Sequence, residues 1–198
     1  MAGRAGGTRI AAGALRGRRL AVPPGARPTE GRVREALLSI WQDRLDGARL
    51  LDLYAGSGAV GLEALSRGAA VVVFVESDRA ALRALERNCA LAEGGRAIRR
   101  RASLPGGLAV ALADQAPFGL VFADPPYRFA AHAGLLLAIE PHLAAGGEVA
   151  LEHAARGATP ETAGALVRHA VRRYGESALS FYRRTPATRA LESGDDAR

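Results

Sequence analysis

The chain has no lysine and only one cysteine among its 198 residues. The single cysteine, Cys89, excludes an internal disulfide, and its helical spacing with Leu82, Leu85 and Ala92 makes it a small buried apolar side chain. The four histidines, His132, His142, His153 and His169, lie far apart and show no metal-ligand spacing, so no metal is expected. Long hydrophobic runs are missing too. The longest, Ala69 to Val75, is too short to span a bilayer, and the basic N-terminus has no apolar stretch behind it. Neither membrane insertion nor secretion is indicated, and a cytoplasmic location is expected. The length suits one domain that buries roughly 70% of its unfolded surface.

With lysine absent, every basic residue is arginine, which reflects an Ala/Gly/Arg-rich coding bias rather than function. Position is more informative. Residues 1–34 hold eight arginines and one glutamate and so carry the whole net charge of +7. A local arginine excess beside a neutral domain points to a polyanion such as nucleic acid, with a solvated tail as the alternative. Arg9, Arg16, Arg18, Arg19 and Arg27 are the candidate phosphate contacts. Two short β-prone runs around Gly17 predict a small basic hairpin within residues 9–22. Residues 1–27 read as a basic arm, 28–186 as the main domain and 187–198 as a disordered acidic tail.

From Thr29, a plausible N-cap, Val33, Ala36, Leu37, Ile40, Trp41 and Leu45 recur at helical spacing. Strands are expected near residues 49–53, 69–75, 97–101, 119–123 and 148–152, with helices at about 59–67, 79–92, 104–113 and 130–143. The last apolar segments, 166–174 and 178–183, follow too closely for a crossover and should pair antiparallel at the sheet edge. The fold class is α/β: a seven-stranded, mostly parallel Rossmann-like sheet with helices on both faces and a small N-terminal hairpin.

The first expected strand runs Leu50-Leu51-Asp52-Leu53 and breaks at Ala55-Gly56-Ser57-Gly58 before a helix. Such a turn lets backbone approach a nucleotide-like ligand at a helix start. The spacing Gly56, Gly58, Gly61 also satisfies the dinucleotide pattern G-x-G-x-x-G, so NAD competes with S-adenosylmethionine. Asp52 favours the latter, because a carboxylate suits an ammonium group and repels a pyrophosphate. The stretch Asp52 to Glu63 resembles the first motif of Rossmann-like methyltransferases.

Ligands of such sheets bind beyond the carboxyl ends of the strands, where Asp52, Glu76 and Asp124 converge. Glu76 lies 20 positions after Gly56, the offset at which an acid reaches ribose hydroxyls; the alternative is a helix cap. Asp124-Pro125-Pro126-Tyr127 closes the fourth strand. An exocyclic amine on a base is a poor nucleophile because its lone pair is delocalised. Asp124 and the Pro125 carbonyl can accept its two N–H bonds, the prolines fix the carbonyl's direction, and Tyr127 offers a stacking face.

The tetrapeptide is similar to the signature of amino-group N-methyltransferases. Together with R-I-A-A-G-A-L-R-G-R-R-L from Arg9, R-P-T-E-G-R-V-R-E-A-L from Arg27 and the glycine loop, it resembles the bacterial 16S ribosomal RNA guanine-N2 methyltransferase family, RsmD-like, over nearly the whole chain. The resemblance implies methyl transfer from S-adenosylmethionine to a guanine 2-amino group of 16S rRNA within the small ribosomal subunit, by a monomer. It places Asp52, Gly56 and Gly58 on the methionine part, Glu76 on the ribose and Asp124 to Tyr127 on the base, with Ala55, Ser57 and Ser77 also on the cofactor. Arg27, Thr29 and Arg34 fall near cofactor or RNA. Where the family carries Asp or Asn for the adenine, this chain has Ala102-Ser103, so backbone groups or Ser103 would substitute. Rival readings are an adenine or cytosine N-methyltransferase, an NAD-dependent oxidoreductase, and a non-catalytic rRNA-binding assembly factor.

Overall fold

The computed structural model describes residues 8–23, 31–92, 96–126 and 129–185. Five parallel strands form its centre: β1 (Arg49–Leu53), β2 (Val71–Glu76), β3 (Ala97–Arg101), β4 (Phe118–Ala123) and β5 (Leu143–Ala154). The antiparallel strands β6 (Thr162–Ala163), β7 (Leu166–Tyr174) and β8 (Ser177–Arg184) complete one sheet of order β3-β2-β1-β4-β5-β8-β7-β6. The expected antiparallel pair is present. The eighth strand is the two-residue β6, too short to leave a periodic pattern in the sequence.

Side chains alternate between two buried layers. Leu50, Phe74, Phe122, Ala150 and Phe181 face one layer with α1 (Gly31–Ile40), α2 (Gln42–Leu45), α3 (Ala59–Ser66) and α4 (Arg79–Cys89). Leu51, Val73, Val121, Leu151 and Tyr182 face the other with α5 (Leu108–Ala111) and α6 (His132–Ile139). Cys89 is buried as expected, with its thiol pushed up to about 11 by that burial.

Several expected boundaries shift. The helix expected through Leu45 breaks at Trp41, whose indole is fully buried and donates to Glu148 at 2.7 Å. Ile40 is 44% exposed, against its expected place in the core, because Val33, Arg34, Leu37, Leu38 and Trp41 take the buried face. The helices expected at 104–113 and 130–143 are shorter, α6 passing into a 3-10 turn at Glu140–His142. Of the hairpin, the ladder is one antiparallel bridge between Arg9 and Arg19. Pro28, Thr29 and the tail 187–198 lie outside the described residues.

Chain order reverses at β1: β2 and β3 lie on one side, β4 and β5 on the other. This switch point opens a crevice at the carboxyl ends of β1 and β4, where Asp52 and Asp124 stand.

Candidate active site between two cavities

The turn after β1 is strained. Tyr54 has φ +58°, in the left-handed region that an aromatic residue rarely adopts, a conformation costing about 1–3 kcal/mol. Burial and the charge of Glu76 push its phenol up to about 12. Gly56 (φ +55°) and Gly58 (φ +76°) follow, and Gly58 is the N-cap of α3. A Cβ at Gly58 would come within 2.5 Å of Leu85, and one at Gly61 within 2.3 Å of the Phe74 ring, so both glycines let α3 pack on the sheet. Gly56 instead faces open space.

Asp52 is only 2% exposed and accepts the Gly61 N–H at 3.0 Å, capping the third residue of α3. Its carboxyl is held well above the usual range by burial, lowered in part by that N–H and raised by the charges of Asp124 and Glu76. Asp52 nevertheless lines a cavity with Tyr54, Ala55, Gly56, Ser57, Phe122 and Asp124. The sequence motif did not reveal this double duty as cap and cavity wall.

Glu76 accepts the Gly56 N–H at 2.8 Å, Ser77 N–H at 2.7 Å and Asp78 N–H at 2.9 Å, stitching the loops after β1 and β2 together. The cap of α4 is Asp78, which accepts from Ala81 at 2.7 Å. Ala102 donates its N–H to the Glu76 carbonyl at 3.2 Å, which sets the loop after β3 beside β2. Ser77, Ala102 and Ser103 do not line the Asp52 cavity, and Gly58 lies beneath its loop.

The N-terminal segment is part of this cavity. Thr8, Val22 and Pro23 line it, while Ile10 and Leu20 are buried in the core. Asn88 of α4 accepts from Ala21 N–H at 2.8 Å and donates to the Ala21 and Ser57 carbonyls at 2.9 and 2.8 Å, tying segment to glycine loop. Packing therefore runs across the expected division at residue 27, and residues 8–23 are not a free-standing arm. The apolar residues Ile10, Leu20 and Val22 carried that signal within the arginine-rich stretch.

Arg34, expected near cofactor or RNA, stands on the wall of the Asp52 cavity. It is 5% exposed, pairs with Glu63 at 2.9 Å and donates to the Arg9 carbonyl at 3.0 Å. It is both a cavity wall and a strut between α1, α3 and the Arg9 backbone. Arg9, Arg16, Arg18 and Arg19 are exposed; Arg27 and Thr29 lie outside the described residues.

Asp124 also borders a second cavity, with Pro125, Pro126, Phe129, His132, Glu152 and His153. Its N–H donates to the Leu53 carbonyl at 3.3 Å, which seats the Asp-Pro-Pro turn against β1. Tyr127 lies outside the described residues; Phe129 supplies a ring here, edge-on to Tyr54 at 5.9 Å. His153 Nδ1 donates to the Ala154 carbonyl at 2.9 Å, so its Nε2 accepts the Ser180 hydroxyl at 2.9 Å. Ser180 then accepts from Thr159 at 2.9 Å, and Thr159 from Arg168 at 3.0 Å. Burial, chiefly, holds His132 and His153 below their usual range. Sequence spacing gave no sign that these two histidines meet, with rings 6.4 Å apart. Among the described residues no cluster could hold a metal ion, and no helix is long and apolar enough to cross a membrane.

The family model described as "Conserved hypothetical protein 95" matches residues 8–183. The chain belongs to this family. It is 43% identical over 125 residues to "Ribosomal RNA small subunit methyltransferase D" of Escherichia coli (strain K12), the match covering 62% of each chain. It is 33% identical to "Putative rRNA methyltransferase YlbH" of Bacillus subtilis (strain 168), over 89% of this chain and 98% of that one. A solved structure, "Putative methyltransferase yhhF from Escherichia coli", superposes with TM-score 0.77 at 35% identity, covering 90% of this chain and 98% of the other. The RsmD-like resemblance and the class I methyltransferase fold are thereby borne out. The aligned part spans less than two thirds of the Escherichia coli methyltransferase D.

Proposed function

We propose that this family member transfers a methyl group from S-adenosylmethionine to the exocyclic N2 of a guanine in 16S rRNA, acting in the cytoplasm as a monomer on the small ribosomal subunit. One observation carries the reading: Asp124 is the shared wall of two cavities, one framed by Asp52 and the glycine loop, the other by Pro125, Pro126 and Phe129. Two reactants held in adjoining cavities would meet at that wall, which gives the proximity a two-substrate transfer requires.

The donor set of the first cavity suits a cation. Asp52 and Asp124 line it, and among the described residues the one arginine on its wall, Arg34, is already paired with Glu63. An NAD pyrophosphate would face these carboxylates. The open side of Gly56 leaves backbone accessible to a ligand. Asp52, Ala55, Gly56 and Ser57 would hold the methionine part, with Glu76 and Ser77 beside the ribose and the Ala102-Ser103 loop beside the adenine. When bound, S-adenosylmethionine supplies an electrophilic methyl on a sulfonium.

In the second cavity the Asp124 carboxylate and the Pro125 carbonyl accept the amine's two N–H bonds, drawing its lone pair out of conjugation with the ring. The buried Pro125 fixes that carbonyl, and Phe129 presents an aromatic face to the base. The Asp124 carboxylate can also accept the proton that the amine sheds. The exposed arginines at 9, 16, 18 and 19 are proposed phosphate contacts.

The test is nucleoside analysis after incubating the protein with methyl-labelled S-adenosylmethionine and either naked 16S rRNA or small subunits. Label in N2-methylguanosine from subunits is the expected result; label in an adenine or cytosine derivative, or none, overturns the reading.

A further inference from the structure

Glu152 lies two residues before the end of β5 and Asp124 just follows β4, and the register Phe122 to Ala150 and Ala123 to Leu151 carries these two acids to neighbouring positions. Phe122 and Ala150 face the layer that also holds Leu50, so Asp52, Asp124 and Glu152 fall on one face of the sheet. Adjacent strands lie about 4.8 Å apart. Glu152 is buried, lines the second cavity with Asp124, and does not line the first. The function proposed above gives it no task.

The chemistry of the amine-bearing bases decides what a second carboxylate can do there. Beside its amine, guanine carries N1–H, a donor. Adenine carries a bare N1 beside its amine and cytosine a bare N3, and both are acceptors. A carboxylate next to the amine site therefore gains a hydrogen bond with guanine and meets a lone pair with the other two. A carboxylate has about four acceptor sites, so it can take N1–H together with any donor from the protein.

We propose that Glu152 is the residue that selects guanine: its carboxylate accepts N1–H while Asp124 and the Pro125 carbonyl hold the neighbouring amine. The inference rests on the methyl-transfer reading and adds the choice of base to it. A site with a buried group committed to one hydrogen bond rejects an analogue that cannot make it, by far more than a difference in shape would.

The test uses small subunits assembled with 16S rRNA carrying either guanine or 2-aminopurine at the mapped methylation position. 2-Aminopurine keeps the 2-amino group but has a bare N1. The wild-type protein should turn over the guanine substrate faster by a factor on the order of 100 or more. Glu152→Gln can offer its amide N–H to a bare N1, so it should lose about tenfold on guanine and narrow the guanine to 2-aminopurine ratio at least about tenfold. A purely structural role for Glu152 would lower both rates and leave their ratio alone, so an unchanged ratio overturns the inference. If the variant fails to fold, the wild-type comparison still decides, because equal turnover of the two bases overturns it without any mutation. If the wild-type protein places no methyl on N2 of guanine, the methyl-transfer reading itself is overturned.

Discussion

The two cavities that share Asp124 are held together by different means. The first is a matter of charge meeting backbone: Asp52 caps Gly61, Glu76 clamps Gly56, Ser77 and Asp78, and the Arg34–Glu63 pair braces α1 against α3. The second is held by a polarised chain of neutral groups, Thr159 to Ser180 to His153, begun by Arg168. A carboxylate that satisfies a loop's N–H groups also leaves negative potential for a cationic ligand. A neutral hydroxyl and imidazole chain instead shapes a wall that adds no charge of its own beside the carboxylates of Asp124 and Glu152.

The largest effect should come from breaking the ionic brace. Glu63 is fully buried between Arg34 and Arg67. Glu63→Ala leaves Arg34 without its partner and should cost about 3–5 kcal/mol, read as a loss of denaturant midpoint. A cost below about 1 kcal/mol would mean that the first cavity does not depend on this pair.

Next is the N-terminal segment. Removing residues 1–23 deletes Thr8, Val22 and Pro23 from the cavity and Ile10 and Leu20 from the core. Calorimetry should show S-adenosylmethionine affinity reduced by about tenfold or more, since each lost apolar contact is worth roughly 1 kcal/mol or more. Unchanged affinity would restore the picture of a separate arm.

pH separates the cavities by sign. Asp52 is raised, so the folded protein binds a proton there that the unfolded chain has released; that contribution is complete below pH 3.8 and is lost as pH rises through the raised value. A cationic ligand favours the ionised form, so S-adenosylmethionine should bind more tightly as pH rises, by up to about tenfold per pH unit below that value, with proton release. Asp52→Asn should remove the dependence; a pH-independent wild-type affinity would contradict it. His132 and His153 are lowered from 6.5, so between the lowered values and 6.5 the unfolded chain binds more protons. Stability should therefore fall as pH drops through that window, and His132→Gln with His153→Gln should flatten the loss in thermal melts.

The smallest effect concerns Arg16, Arg18 and Arg19, which are exposed near the turn that packs on Ser66. Replacing all three by alanine should reduce the slope of log RNA affinity against log salt by about 2, at roughly 0.7 per phosphate contact. Cofactor affinity should stay within a few-fold. An unchanged slope would make them solvated surface.

The first cavity was the more legible because its parts are local in sequence. Asp52, Ala55, Gly56 and Ser57 span one strand and turn, and the glycine spacing signals that turn. Glu76 and Asp124 close β2 and extend just beyond β4, so strand counting brought them to the same edge. The second cavity needed information that no local pattern holds. His153 on β5 meets His132 on α6, far apart in sequence, and Phe129 enters because its N–H bonds back to the Pro126 carbonyl at 2.7 Å. The pairing of Arg34 was not legible, because its buried partner Glu63 is 29 residues away on another helix. Tyr54 was silent for a related reason: a left-handed tyrosine leaves no composition signal.

The central claim is that Asp124 serves the transfer while the first cavity holds the cofactor. Measuring turnover and S-adenosylmethionine affinity on one preparation of Asp124→Ala tests it directly. Turnover should fall by a factor on the order of 100 or more, with affinity changed only a few-fold. Near-normal turnover, or a loss of affinity as large as the loss of turnover, would contradict it.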